Sequence, residues 1–291
     1  MTKIVTHDSG FHSDDAFAVA TLLLLVGEAE IVRSRDPKDW ATADYVVDVG
    51  MEYDVSKGRF DHHQPGGAGE RENGIPYASF GLVWKSYGEK LSGGHKEAQI
   101  IDRKLVEPID AHDNGIAVSE PKFVGVREYT IGDYLVSFLE SREPEHLYKV
   151  FLNAVDIAKD LLQREIYLAK KYVASEEKIL KIYDASEDKR LVVLTEELTN
   201  VRDVLSRTSD ALYAIHPRPD GDWTLTTVPD REKSYGHVRQ VLPLAWAGKE
   251  KEELQSITGV KDALFAHRGR FMASARTKEG AIALAKIALD S

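Results

Sequence analysis

Side chains that could bind metal ions are concentrated in the first 115 residues, mostly where predicted secondary-structure elements end. In an open α/β sheet, ligands bind beyond the carboxyl ends of the strands, so loops distant in sequence can converge there. We therefore interpret four short segments as one candidate metal site. Its candidate residues are His7, His12, Asp14, Asp48, Asp61, His62, His63 and Asp113.

This mixture of carboxylate and imidazole groups suits borderline divalent ions such as Mn²⁺ or Zn²⁺, and a carboxylate can bridge two of them. Two such ions about 3.5–4 Å apart can activate a water and stabilise the departing oxygen of a phosphoryl group. The chemistry indicated is hydrolysis of a phosphoester or a phosphoanhydride. Taken singly, Asp48 could be a turn residue and His7 a structural histidine; the order of the four segments favours the metal site.

Composition excludes several other kinds of site. The chain has 291 residues, 43% of them hydrophobic, which is enough for a substantial core and for two domains. A formal charge of −10 argues against a basic groove over the whole surface, the usual feature of proteins that bind nucleic acid by charge alone. The absence of cysteine excludes disulfides, thiolate zinc sites and cysteine nucleophiles.

The longest apolar run, residues 21–26, is far shorter than a bilayer span of roughly 20 residues. The first residues show no signal-peptide pattern. We therefore expect a cytoplasmic protein that has no membrane partner.

The pattern of the first 185 residues predicts alternating strands and helices, and hence an α/β domain with a mainly parallel sheet. Helix signals include Ser13 as N-cap, followed by the acids Asp14 and Asp15 in the first turn. The predicted strands cover residues 3–6, 30–33, 45–49 and 59–61, and the predicted helices cover 13–26, 79–91, 98–109 and 145–183.

A smaller α+β domain is predicted for residues 186–291, with the helical connector 145–185 counted in the first domain. We interpret this connector as a solvated helix or helix pair on the core; a homodimer contact or a linker role is the alternative. The second domain's predicted strands cover residues 191–194, 211–216, 223–228, 263–266 and 271–274, before a helix at 278–289.

Arginine and histidine side chains occupy the predicted turn between the last two strands. His267, Arg268 and Arg270 lie there, and Arg239 precedes the segment Leu242-Pro243. A guanidinium group binds phosphate oxygens through two hydrogen bonds, so these residues could hold a substrate. From the residues alone, a solvated hairpin turn is the simpler interpretation.

Several motifs resemble those of the MYG1 (UPF0160) family, which is akin to the DHH phosphoesterases, a group that includes RecJ-type exonucleases and family II pyrophosphatases. They lie at residues 7–15, 48–50, 60–64 and 109–115, and further similarity covers 31–37, 242–246, 265–271 and 277–281. The resemblance therefore extends over nearly the whole chain. It implies a DHH-like fold and a metal-dependent hydrolase, with the 3′→5′ RNA exonuclease activity attributed to eukaryotic members.

By analogy with the DHH group, Asp48 would bridge two divalent ions, Mn²⁺ being favoured and Mg²⁺ or Zn²⁺ being alternatives. One ion would be completed by His7 and His12, and the other by the residues Asp14, His62 and Asp113.

The resemblance also assigns residues around the metals. Asp61 would accept a hydrogen bond from a ligating imidazole. His63 would face the substrate as general acid or phosphate ligand. His267 and Arg270 would bind the substrate's phosphate.

Departures from the wider pattern bear on three positions. His12 stands where the DHH group often has Asp, and Asp15 stands where the family often has Glu, so we interpret Asp15 as a helix-start acid. The motif does not require His112, which we interpret as structural.

The sequence thus predicts a dinuclear phosphodiesterase that acts on RNA ends, with a metal-activated water as nucleophile. A phosphoanhydride or small-nucleotide phosphatase with the same metals is one alternative. A non-catalytic, metal-stabilised interaction module is the other.

Overall fold

The computed structural model describes residues 1–231 and 237–291, and the chain divides into the units Met1–Lys170 and Lys171–Ser291. The fold is mixed α/β, as the sequence predicted, with one five-stranded sheet in each unit. No helix among the described residues is both long enough and apolar enough to cross a membrane.

The sheet of the first unit has four parallel strands and one antiparallel edge strand. Its strands are β1 (Thr2–Thr6), β2 (Ala29–Arg33), β3 (Tyr45–Val47), β4 (Tyr53–Asp54) and β5 (Arg59–Phe60). Their order is β2-β1-β3-β5-β4; β2, β1, β3 and β5 are parallel, and β4 pairs antiparallel with β5. The carboxyl ends of β1, β3 and β5 therefore lie side by side.

Helices enclose this sheet and form most of the first core. They are α1 (Ser13–Val26), α2 (Pro37–Ala41), α3 (Ser79–Ser92), α4 (His95–Ile101), α5 (Glu107–Asp113), α6 (Ile131–Val136) and α7 (Pro144–Ala185), which runs on into the second unit. Helix α1 is buried from Asp14 to Leu22 and packs against α3, where the rings of Phe17 and Phe80 lie 5.2 Å apart. A helix buried on all sides needs apolar residues all round, which explains the run of leucines in α1.

The prediction of one continuous α-helix over residues 98–109 is wrong for the middle of that range. A π-helical segment, Asp102–Val106, separates α4 from α5. Pro108 lacks the N–H that would bond to the carbonyl of Lys104, and the chain widens before it, with the Glu107 N–H donating to the carbonyl of Asp102.

The second unit has its own sheet and core. Its strands are β6 (Leu191–Val193), β7 (Tyr213–Pro217), β8 (Trp223–Thr227), β9 (Ala263–Ala266) and β10 (Met272–Ala275), and its helices are α8 (Val201–Thr208), α9 (Lys251–Thr258) and α10 (Lys278–Leu289). The order is β6-β7-β8-β10-β9, parallel only between β6 and β7. Helix α10 has the predicted bounds, because Thr277 caps it by accepting the N–H of Gly280.

The division between the units lies inside α7, whereas the sequence placed it near residue 186, after the helix. Ile179, in the last part of α7, is fully buried among second-unit residues such as Val192 and Val204. Composition changes at the end of the helix, but the packing changes earlier.

Close contact between α3 and α5 generates the first prediction. The N–H of Gly81 in α3 donates to Asp110 Oδ1 at 3.0 Å, and a Cβ at position 81 would overlap the Asp110 carboxylate. We expect Gly81→Ala to lower the free energy of unfolding by about 1–3 kcal/mol, as other overpacked substitutions do. Urea unfolding followed by circular dichroism measures this change.

Gly132→Ala, in helix α6, is the matched control, because its new Cβ would lie 3.6 Å from the hydroxyl of Thr130 and 3.7 Å from that of Ser13, which are ordinary contacts. Alanine favours helix, so this variant should be as stable as the wild type or slightly more stable. Equal stability of the two variants would contradict the proposed overlap.

Candidate metal centre

The candidate residues converge because parallel neighbouring strands end at one edge of the first sheet. His7 follows β1, Asp48 follows β3, and Asp61 begins the segment after β5. Helix α5 ends at Asp113, and α1 begins directly after His12. The structure brings together the candidate residues from all four sequence segments.

Asp48 occupies the centre of this cluster. Its Oδ2 lies 3.2 Å from His7 Nε2, and its Oδ1 lies 3.3 Å from His62 Nε2. The side chain of Asp48 is 2% exposed. Each carboxylate oxygen therefore faces a different imidazole, as a bridging ligand requires.

The local backbone turns this carboxylate away from the strand. Asp48 has a φ of 56°, in the left-handed region, and its N–H donates to the carbonyl of Phe60 at 3.1 Å. Asp tolerates this conformation better than most residues. Such strain is characteristic of functional positions that the surrounding structure holds in place.

Asp113 approaches the same nitrogen of His62 that faces Asp48. Its Oδ2 lies 3.2 Å from His62 Nε2, and its Oδ1 lies 3.7 Å from His12 Nδ1. The ring of His12 is largely exposed, whereas that of His62 is nearly buried. His112, beside Asp113, is exposed and lines a cavity of about 440 Å³ with His12 and Asp113.

Asp14 is held by the N-terminus of α3. Its Oδ2 accepts the N–H of Ser79 at 3.1 Å, and its Oδ1 accepts the N–H of Phe80 at 2.7 Å. The Ser79 hydroxyl also lies 3.3 Å from Asp48 Oδ1. Free amides at a helix start stabilise negative charge, so α3 orients two of the carboxylates.

Sequence reasoning missed Ser79 and Phe80. The only available signal was the predicted start of a helix at residue 79, which did not indicate what the helix would face.

Asp15 has two contacts. Its Oδ1 accepts the N–H of His12 at 2.9 Å, which makes His12 the N-cap of α1 in place of the predicted Ser13. Its Oδ2 lies 3.3 Å from His7 Nε2. Asp15 is therefore the expected helix-start acid and also faces the metal cluster.

Asp61 pairs with His63. Its Oδ1 accepts the backbone N–H of His63 at 3.2 Å and lies 2.8 Å from the Nδ1 of the same residue. This tight turn brings the His63 ring, not that of His62, beside the carboxylate. The His63 side chain is 57% exposed and its Nδ1 lies 3.5 Å from Asp48 Oδ1.

Donor atoms in the cluster fit divalent ions. In each of three overlapping groups, one atom from every residue lies within 4.8 Å of the others; the groups are His7, His12 and Asp48; Asp48, His62 and His63; and Asp14, His62 and Asp113. Asp15 Oδ2 and His62 Nε2 are buried without a hydrogen-bond partner. Buried atoms without partners are costly, and a cation would satisfy both.

Electrostatics favour a cation at the same place. Burial, aided by the charge of Asp48, raises the pKa of Asp14 well above its usual range. Burial alone would raise the pKa of Asp48 too, but ion pairs with His62 and His7 hold it well below its usual range.

The two buried imidazoles show the converse effect. Burial lowers the pKa of His7, but ion pairs with Asp15 and Asp48 overcome this and raise it to about 10. Burial likewise opposes the charge on His62, whose pKa Asp113 and Asp48 raise to about 11. The carboxylates thus attract a positive charge, which a bound metal ion can supply in place of the two protons.

The remaining predicted residues lie in the second unit. His267 follows β9, and Arg270 precedes β10 in a left-handed conformation, with a φ of 58°. The Arg270 N–H donates to the His267 carbonyl at 2.8 Å. Arg268 is exposed, whereas Arg239 donates to the carbonyls of Ala211 and Ser206, both at 2.9 Å.

Curated proteins of similar sequence cover almost all of this chain. A human protein named MYG1 exonuclease is 29% identical over 322 residues, which cover 99% of this chain and 85% of that protein. A MYG1 protein of Chlamydia trachomatis is 30% identical over 283 residues, covering 93% of this chain and 90% of that one.

Among solved structures, a pGpG-specific phosphodiesterase from Vibrio cholerae aligns with 99% of this chain and 97% of its own. The identity is 15% and the TM-score is 0.34. The model of the uncharacterised protein family UPF0160, MYG1, matches residues 3–289, and the chain belongs to this family.

Proposed function

We propose that this chain is a metal-dependent phosphodiesterase that removes nucleotides from the 3′ ends of RNA, and that its first unit is a DHH-like catalytic domain. The observation that carries the proposal is the position of Asp48, whose two carboxylate oxygens face His7 and His62 at 3.2 and 3.3 Å. The exonuclease name of the human relative supports the same reaction class.

Two divalent ions, Mn²⁺ being favoured, would be held by His7, His12 and Asp48 on one side and by Asp14, Asp48, His62 and Asp113 on the other. When bound, such ions polarise the phosphoryl group and activate the attacking water.

His63 is proposed as the general acid. Its Nδ1 lies 2.8 Å from Asp61 Oδ1, so the carboxylate fixes the orientation of the ring. Since the side chain is 57% exposed, the ring can reach a substrate and pass a proton to the leaving oxygen. This role requires that His63 does not bind a metal ion itself. Its Nδ1 lies 3.5 Å from Asp48 Oδ1, which is close enough for both side chains to bind the same ion.

The second candidate reaction is hydrolysis of a phosphoanhydride or a small nucleotide by the same metals. Because the chemistry at phosphorus is shared, the substrate alone separates these reactions. A non-catalytic role would leave the exposed His63 without a use.

The proposal is tested with purified protein and Mn²⁺ on 3′-labelled and 5′-labelled RNA, single-stranded DNA, dinucleotides and pyrophosphate. We expect 5′-labelled RNA to shorten progressively and 3′-labelled RNA to release mononucleotide at once. Asp48→Asn is the matched control, and it should lose both activity and the Mn²⁺-dependent rise in melting temperature.

Hydrolysis of pyrophosphate alone would favour the phosphoanhydride reaction. If metal-loaded protein hydrolyses none of these substrates, the non-catalytic interaction module is favoured. Retention of two bound ions by Asp48→Asn in elemental analysis would contradict the bridging role.

Variants of the adjacent histidines separate chemistry from metal binding. His63→Ala should keep its metal content and lose about 10²–10⁴-fold in turnover, the usual size of general acid catalysis. His62→Ala should lose metal, because His62 Nε2 faces both Asp48 and Asp113. Elemental analysis and single-turnover rates measure the two effects; equal loss of metal would make His63 a ligand.

We also propose that His267 and Arg270, in the second unit, hold the substrate's phosphate. Arg270→Ala should raise KM about tenfold or more, because a charge-assisted hydrogen bond contributes about 1.5–3 kcal/mol. Arg270→Lys should recover only part of this loss, since lysine lacks the planar fork. Arg276→Ala, at an exposed position just after β10, is the control in the same steady-state assay.

Metal content should stay unchanged in all three variants. A wild-type KM in Arg270→Ala on every active substrate would show that the β9–β10 connection is an ordinary solvated turn.

A further inference from the structure

A cavity of about 1070 Å³ lies in the first unit, beside the loop that joins the candidate metal ligands His7 and His12. Small-molecule sites are typically roughly 300–1,000 Å³, so it has room for a nucleotide. Its aliphatic lining is formed by Ile31, Val32, Val136, Leu139, Pro144 and Leu147. These residues come from β2, α6, the start of α7 and the chain between the two helices.

The cavity adjoins the candidate metal centre in two ways. One wall is the segment Asp8-Ser9-Gly10, which connects His7 to the segment that carries His12. Val136 lines both this cavity and the smaller one that contains His12 and Asp113. A molecule in the larger cavity could therefore extend to the metal ligands along the Val136 side.

Tyr148 supplies the aromatic surface of this cavity. Its ring lines the wall, and its hydroxyl donates to the carbonyl of Ile31 at 3.0 Å. This bond fixes the ring, so a planar ligand could pack on it with little loss of side-chain freedom. Nucleobases stack on aromatic side chains without regard to sequence, because every base has a π-face.

Two arginines supply positive charge to the same wall. Arg33 donates through Nε to the carbonyl of His7 at 3.1 Å and through Nη2 to that of Gly10 at 2.7 Å. Its guanidinium lies 4.5 Å from the centre of the Phe151 ring, and its Nη1 forms no hydrogen bond with the described residues. Arg142 is exposed and has no acidic partner in the described chain.

Acidic groups only partly balance these arginines. Two acidic residues, Asp8 and Glu140, line the cavity. Asp8 Oδ1 is paired with Arg35 Nε at 3.1 Å, whereas Glu140 has no cationic partner among the described residues. The cavity thus offers an aliphatic and aromatic interior together with donors suited to one phosphate group.

Resting on the proposed function, we propose that this cavity binds one nucleoside unit of the substrate. The base packs against Tyr148 and the aliphatic wall, a phosphate contacts Arg33 and Arg142, and the scissile phosphodiester lies toward the metal ligands. An inorganic anion alone would leave the apolar wall unused, and a purely apolar ligand would leave both arginines without an anion. Recognition by shape and stacking predicts little preference among the four bases.

The test measures binding of 5′-AMP and of inorganic phosphate to Mn²⁺-loaded protein by isothermal titration calorimetry. Val136→Trp narrows the cavity at a side chain that is 45% exposed, so the larger ring can be accommodated without loss of the core. We expect affinity for 5′-AMP to fall at least tenfold in Val136→Trp, with affinity for phosphate and metal content unchanged. Leu168→Trp, at an exposed position of α7 that does not line the cavity, is the matched control.

Tyr148→Ala gives a second variant in case Val136→Trp folds poorly, and it should weaken 5′-AMP binding while leaving phosphate binding intact. Wild-type affinity for 5′-AMP in either folded variant would overturn the proposal, as would protein that binds phosphate but not 5′-AMP. The two proposals can fail separately. If the wild-type protein hydrolyses no phosphoester but both variants lose affinity for 5′-AMP, the nucleoside site is supported and the exonuclease activity is rejected.

Discussion

The burial of several carboxylates around Asp48 is the constraint on which the first unit depends. Asp14, Asp15 and Asp48 are all at most 4% exposed, and carboxylates removed from water repel one another unless positive charge or N–H donors offset them. The chain supplies two kinds of compensation, imidazoles from His7 and His62 and amides from the start of α3. A bound cation would supply a third.

The need to offset buried carboxylate charge also explains the contacts of Gly81 and Arg71. Gly81 carries no side chain because the carboxylate of Asp110 occupies that space, and its own N–H donates to that carboxylate. Arg71, in the loop between β5 and α3, lies 2.7 Å from Asp110 Oδ2 and 2.9 Å from Asp102 Oδ1. Burial raises the pKa of Asp110 to about 7, against the opposing charge of Arg71. The first turn of α3 is thus fixed by acidic groups from α1 and α5.

The cluster also favours a particular division of roles. His7 and His62 are buried and point at Asp48, whereas His63 is exposed and held by Asp61. A buried imidazole between carboxylates is suited to metal binding, and an exposed one with a carboxylate partner is suited to proton transfer. Adjacent histidines can serve different purposes here because neighbouring side chains leave the strand end in different directions.

Sequence alone determined the residues of the cluster and the elements that end beside them, because ligand types and strand periodicity are local properties. It also determined the start of α10, since the Thr277 cap is a local interaction. The family followed from short motifs distributed along nearly the whole chain, and the family model matches residues 3–289. Tertiary structure decided that Asp61 contacts His63, that Ser79 and Phe80 bind Asp14, and that α7 changes its packing partners before it ends. Except for the Asp61–His63 turn, these contacts join residues that are far apart in the chain. Their geometry depends on how the helices pack on the sheet, and no local sequence pattern encodes that packing.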